Sequence, residues 1–157
     1  MALTIAERFK YNLYLWYFGL TQVRLIHYCR PKIVDITEEK VVLMMSLDRR
    51  TRNHVRSMYI GAMVVGVDMV TGFTAMVRIR ESKRKVIPIF KDLTANFLKR
   101  AEGDVYFICR EGKAITEAVE KTITTGERVN IPVKVTATVP DTVSYTHLRA
   151  HETLRYL

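Results

Sequence analysis

The sequence predicts an α+β domain in which an antiparallel sheet packs on one long central helix. Three observations carry this. Residues 57 to about 79 form an apolar span too long for a strand and so read as a helix. Short runs rich in Val, Ile and Leu stand on both sides of it in the chain. The helix is apolar nearly all round, so both of its faces need cover: the sheet takes one, and a second subunit is expected on the other. The chain has 157 residues, enough for one domain with a real core, and 48% of them are apolar, which argues against disorder.

The elements follow in order. Residues 4–28 read as one helix, opened by a capping box of Thr4 with Glu7 and stopped by Pro31. "KIVDITEE" and "KVVLMMSL" read as a hairpin, and "DRRTRNH" as a loop. In the long helix, Gly61, Gly66 and Gly72 each cost roughly 1 kcal/mol of helix propensity against Ala, which suggests close approach of another backbone. "ESKRK" is a basic turn. "VIPIFKDLTANFLKRA" and "DVYFICRE" read as two long strands joined by Glu102-Gly103, "AITEAVEKTITTGE" as a short helix ending at Gly126, and "VNIPVKVTATV" as another strand.

Residues 144–157, "SYTHLRAHETLRYL", break the pattern, because apolar alternation stops after Pro140. The segment resembles the peptide obtained when a sequencing adaptor is read through as coding sequence. It is set apart as a non-native tail, leaving a single domain over residues 1–143. Within it His147 and His151 sit at i, i+4, a spacing that can hold a metal on one helix face, but a third ligand is missing and no metal site is expected.

The formal net charge is +9, which points to an acidic partner: nucleic acid, an anionic membrane surface or a phosphate-bearing small molecule. The chain has neither the Cys/His spacing of a zinc finger nor the aromatic pattern of an RNA-recognition strand, so no nucleic-acid partner is expected. A solvated basic face is the plain alternative. Cys29 and Cys109, the only cysteines, read as core residues in a reducing, cytoplasmic compartment. The first eighteen residues carry Glu7 and no small-residue cleavage site, unlike a secretory signal. Residues 11–23 are too short an apolar run to span a bilayer, which takes roughly 20 residues. Their stripe favours packing on the domain's own core. Because Lys10 and Arg24 flank a dense aromatic face, weak membrane-surface contact through residues 11–28 stays open.

One residue stands out in the long helix. Asp68 is the single charge in its apolar stretch, and burying an unpaired carboxylate costs several kcal/mol, on the order of magnitude known for buried ions. Something must compensate, or the residue has a task. The alternative is a helix carboxylate paired with a nearby Arg or Lys, or exposed.

Around it, "RNHVRSMYIGAMVVGVD", together with "IPIFKDLTANFLKRAEGDVYF" and "TGERVNIPVKVTATVP", makes residues 5–140 resemble a hotdog-fold protein. The chain is most similar to a bacterial family of unassigned activity related to the phenylacetate-pathway type of acyl-CoA thioesterase. The resemblance implies a sheet wrapped round the long helix, here with an extra N-terminal helix. The thioesterases carry an Asn, then His-Gly-Gly six residues later and Leu-Ala-Asp beyond. On this chain the Asn falls on Asn53, the His on Tyr59, the glycines on Ile60 and Gly61, and the Asp on Asp68. The implied activity is hydrolysis of an acyl-CoA or similar thioester. Ile60 and Gly61 would supply backbone N–H groups to the oxyanion, and Asp68 would activate water or attack the carbonyl. Lys99 and Arg100 fall where related proteins hold CoA phosphates. CoA enters only as part of the substrate, and no separate cofactor is implied. Ile60 and Asp68 are eight residues apart, about 12 Å along a helix, so one carbonyl cannot touch both in one chain. A homodimer, or a dimer of dimers, with antiparallel central helices and two shared sites resolves this. The alternative is a non-catalytic acyl-CoA or fatty-acyl binding protein, because Tyr59 replaces the His and Ile60 a Gly. The resemblance also implies one more strand after "VNIPVKVTATV"; the tail occupies that place and is not expected to form a packed, alternating one.

Overall fold

The structure, a computed structural model, describes residues 3–140, and of residues 144–156 the backbone together with the side chain of Leu154. The elements in chain order are α1 (Ile5–Thr21), α2 (Arg24–Cys29), β1 (Lys32–Ile36), β2 (Val41–Met45), α3 (Ile60–Ser82), β3 (Val86–Asn96), β4 (Val105–Cys109), α4 (Gly112–Thr125), β5 (Val129–Val139) and β6 (Ser144–Tyr156). The strands form one antiparallel sheet in the order β1-β2-β4-β5-β6-β3.

α3 is the central helix. Val67, Val70 and Phe73 are fully inaccessible to solvent, each worth about 1.5–3 kcal/mol of transfer free energy. Helix and sheet approach closely because Gly66 has no side chain: a Cβ there would run into the Phe107 ring of β4. α3 is long and apolar enough to cross a membrane, but most of it is buried within the fold.

The N-terminal segment departs from the single helix expected over residues 4–28. The capping box is present: Glu7 N–H donates to Thr4 Oγ1 at 3.2 Å, and Thr4 N–H to Glu7 Oε2 at 3.0 Å. The helix then breaks at Val23, which is extended at φ −134°, and α2 folds back on α1. Gly19 permits the fold-back, since a Cβ at that position would sit 2.8 Å from the His27 backbone nitrogen. α1 lies on α3 through Tyr11 and Tyr14, whose rings stand 5.8 and 6.1 Å from Phe73. It also covers the β1 edge. Asn12 Nδ2 donates to the Ile33 carbonyl at 2.9 Å and Asn12 Oδ1 accepts from Ile33 N–H at 2.8 Å, so one amide side chain stands in for a missing strand.

Downstream, α3 runs Ile60–Ser82 rather than from residue 57 to about 79, because residues 57–59 close the preceding loop. β3 ends at Asn96, and residues 97–104 are a loop rather than more strand. The larger correction concerns the tail. Residues 144–156 form strand β6, laddered on β5 from Val129↔Leu154 to Thr138↔Tyr145 and on β3 from Val86↔Tyr156 to Asn96↔His147. Leu154 is completely buried. β3 and β5 both present ladder groups to the gap between them, and the register sets Leu148 opposite Val135, Ala150 opposite Val133 and Leu154 opposite Val129. Backbone pairing and a few apolar residues at period two suffice for a strand. The side chains of Tyr145, Leu148, His147 and His151 lie outside the described residues. As strand residues, His147 and His151 have backbones about 13 Å apart, which removes the helix-face premise for a shared metal.

Candidate active site

The loop that precedes α3 is built on Asn53. Its Oδ1 accepts from the N–H groups of Val55 and Ser57, both at 3.0 Å, and its Nδ2 donates to Ser57 Oγ at 3.1 Å. Tyr59 N–H donates to the Thr51 carbonyl at 2.7 Å and Met58 N–H to the Ala101 carbonyl at 2.8 Å, tying the start of α3 to two loops. Tyr59 is the N-cap residue, with extended φ −68° and ψ 140°, and its side chain makes no capping bond. The first intrahelical bond in this turn is Met63 N–H to the Tyr59 carbonyl. The N–H groups of Ile60, Gly61 and Ala62 therefore point out of the helix start unpaired by it.

Of these three residues Ile60 lines a cavity of about 360 Å³, whose other walls are Ser57, Met58, Met63 and the segment Phe97–Ala101. The walls are mainly apolar, and Lys99 and Arg100 supply two positive charges. Arg100 pairs with Glu102 at 2.9 Å, but both side chains are well exposed, where such a pair contributes little. Tyr59 and Ile60 are themselves half exposed, at 55% and 53%. The Tyr59 ring lies against Gly61, where a Cβ would be 3.0 Å from Cδ1.

Asp68 lies two helical turns further on, in a second and separate cavity of about 350 Å³. That cavity is walled by Phe18, Val23 and Ile26 from α1–α2, by Gly72 and Met76 of α3, and by Pro88–Phe90 of β3. Burial in this apolar surround raises the Asp68 carboxyl above its ordinary pKa. Among the described residues no ion pair reaches it. Ile60, Val64 and Asp68 follow one another at i, i+4 and i+8, on one stripe of α3, and Val64 is 39% exposed. The stripe runs towards β3, the last strand of the sheet, whose Ile87 and Ile89 are also partly exposed.

The structure thus brings Ile60, Lys99 and Arg100 to one cavity and sets Asp68 in another, while Gly61 lines neither and lies against the Tyr59 ring. Asn53 lines neither. The bonds its side chain makes are to its own loop, where it holds the turn that carries Ser57 and Met58 to the wall. Lys99 and Arg100 sit in a loop and not at a strand end. Sequence reasoning missed Phe97, Leu98 and the α1–α2 wall. The adjacent Phe97-Leu98 pair in a polar stretch was the one visible signal. No cluster of three or more His, Cys, Asp or Glu able to hold a metal occurs among the described residues.

A six-stranded antiparallel sheet packed on a central helix, with cavities at that helix's start and along its exposed stripe, defines a hotdog-fold protein. Residues 25–151 match the model of a domain of unknown function, DUF4442, and the chain belongs to that family. Solved structures share the fold at low identity. A Chlorobaculum tepidum protein of unknown function superposes with a TM-score of 0.78 at 10% identity, covering 96% of this chain and 97% of its own. A Pseudomonas aeruginosa protein described as a probable thioesterase gives 0.72 at 19% identity, over 92% and 95% of the two chains. A Haemophilus influenzae thioesterase gives 0.69 at 12% identity, over 100% and 94%. Comparison with curated proteins gives no match.

Proposed function

We propose that the protein is a thioester hydrolase of the acyl-CoA thioesterase kind, working as a homodimer with two shared sites. The observation that carries this is the pairing of free N–H groups at the start of α3 with a half-buried carboxylate on the same exposed stripe, about 12 Å away. Neither half suffices for one carbonyl. A second α3 running antiparallel brings Asp68 of the partner subunit to this helix start. The thioesterases among the structural neighbours support the hydrolase part of this reading.

The chemistry then balances simply. The substrate carbonyl oxygen accepts from the Ile60 and Gly61 N–H groups, and the helix dipole favours the charge that develops there. Asp68 of the partner subunit takes a proton from water as the hydroxide adds to the carbonyl carbon. The tetrahedral intermediate collapses, the C–S bond breaks, and the thiolate leaves with the proton that the carboxyl returns. Lys99 and Arg100 hold the phosphates of CoA, which is substrate and not a resident cofactor. No nucleic acid takes part. Cys29 and Cys109 are buried, and burial raises the Cys29 thiol, as befits inert core thiols in a reducing compartment such as the cytoplasm.

Ile60 and Tyr59 favour a second reading. The Ile60 side chain forms part of the cavity wall, and the Tyr59 ring occupies the space a side chain at Gly61 would need. Both narrow the approach of a thioester to the backbone, as suits a protein that binds acyl-CoA without turnover. Thiol release from short, long and aromatic acyl-CoAs separates the two. Turnover of any of them supports the hydrolase, and saturable binding without thiol release replaces it with the binding protein.

A further inference from the structure

α1 uses its inner face, Tyr11, Tyr14, Leu15, Phe18 and Gly19, to cover the core. A helix placed so is expected to turn charged residues outward. Its outer face instead presents Ile5, Phe9, Leu13, Trp16 and Leu20, with relative exposures from 44% to 82%. At 100° per residue these five share one arc of the helix. α2 continues the patch with Leu25 and Tyr28, 57% and 54% exposed. A contiguous apolar surface of this kind marks an interaction site.

The charges nearby say what covers it. Between Glu7 and Asp35 the chain has no acidic residue, while Arg8, Lys10, Arg24, Arg30 and Lys32 are all basic and exposed. A second copy on this face would set two basic rims together. Anionic headgroups complement such a rim, and Trp and Tyr beside aliphatic residues suit the boundary between headgroup and acyl chain. α1 has 17 residues and lies along the fold, so it rests in the interface plane and does not span. We propose that the outer face of α1–α2 docks the protein on anionic lipid bilayers. Val23, exposed at the corner between the helices, also walls the Asp68 cavity, so the docked face adjoins that cavity. If the site hydrolyses thioesters as proposed above, its substrates are long-chain acyl thioesters dissolved at the lipid surface. The docking itself does not depend on that reading.

Trp16 is the only tryptophan, so the emission of the full chain reports on this face directly. Vesicles of equal parts phosphatidylglycerol and phosphatidylcholine should shift Trp16 emission to the blue and carry the protein in flotation, less so as salt rises. Leu13→Ser and Phe9→Ser should each lower partitioning about tenfold. Both side chains are exposed, so circular dichroism and elution volume should stay unchanged. Arg24→Gln should lower it about fivefold on the anionic vesicles alone. Equal partitioning to pure phosphatidylcholine, or no shift and no flotation, overturns the proposal. So does a chain whose Trp16 emission is blue without vesicles and whose Leu13→Ser variant elutes smaller, because a second copy is then the occupant. Thiol release is read separately, so loss of docking and loss of hydrolysis are told apart.

Discussion

Asp68 is legible in the sequence as a lone charge in an apolar helix, and the structure gives its surroundings. Burial without an ionic partner lifts its pKa, and this couples stability to pH. Below about pH 4 the carboxyl is protonated in folded and unfolded chains alike. As pH rises from there through the raised folded pKa, the folded state holds the extra proton, so stability is lost across that window. Asp68→Asn should therefore melt higher than the wild type at neutral pH, with the difference vanishing in acid. The same substitution removes the proposed general base, so turnover should fall by roughly 10²–10⁴-fold. In the wild type kcat/KM should decline with acid through a pKa above the ordinary carboxylate range. Thermal melts and pH–rate profiles of the two chains check all three; a less stable but active variant would make Asp68 a structural residue. Asn53 teaches the opposite lesson. Motif spacing offered it to the reaction, but spacing carries no information on where an amide's hydrogen bonds go, and here they close its own loop.

At the scale of elements, periodicity gave the central helix, the β1–β2 hairpin, α4 and β5 nearly to their ends, because each has a strong apolar pattern and clear stops. It failed where tertiary contact decides. The α1–α2 break depends on Gly19 meeting His27, eight residues away. The glycines of α3 divide the same way. A Cβ at Gly66 meets the Phe107 ring, which is fully buried and has nowhere to go, whereas one at Gly72 meets nothing within 4 Å. Gly72→Ala should thus be stabilised by about 1 kcal/mol of helix propensity, while Gly66→Ala should lose about 2–3 kcal/mol to overpacking, the upper part of the usual range because the ring is held on all sides, and so be destabilised on balance. Denaturant titrations should move in opposite directions. The pattern of β6 is too weak to predict a strand, but its neighbours supply the ladder. We propose that residues 144–157 are a non-native sequence standing in the place of the family's last strand. Reading the source DNA across codon 143 should show different codons beyond it, and an unbroken match through residue 157 would make β6 native.

For the molecule as a whole, the proposed site is divided along one stripe of α3, with Asp68 about 12 Å from Ile60, a span that one carbonyl cannot bridge. It demands a test that a single-chain site would fail. Ile60→Pro removes one of the two proposed oxyanion donors with little disturbance. Proline is favoured at the first helical position, and Tyr59 before it is already extended at ψ 140°. Paired with Asp68→Asn, it gives two homodimers that should each be nearly inactive. In a mixed dimer, the intact helix start of the Asp68→Asn chain meets the intact Asp68 of the Ile60→Pro chain, and one complete site forms. The other site lacks both groups. Random mixing gives about half mixed dimers with one of two sites working, so thiol release should recover to roughly a quarter of the wild type. If both groups serve the same chain's substrate, no mixture completes a site, and a mixed sample as silent as its parents rejects the shared-site dimer. Sizing of each variant beforehand establishes that both chains dimerise, so that silence reports on the site and not on folding.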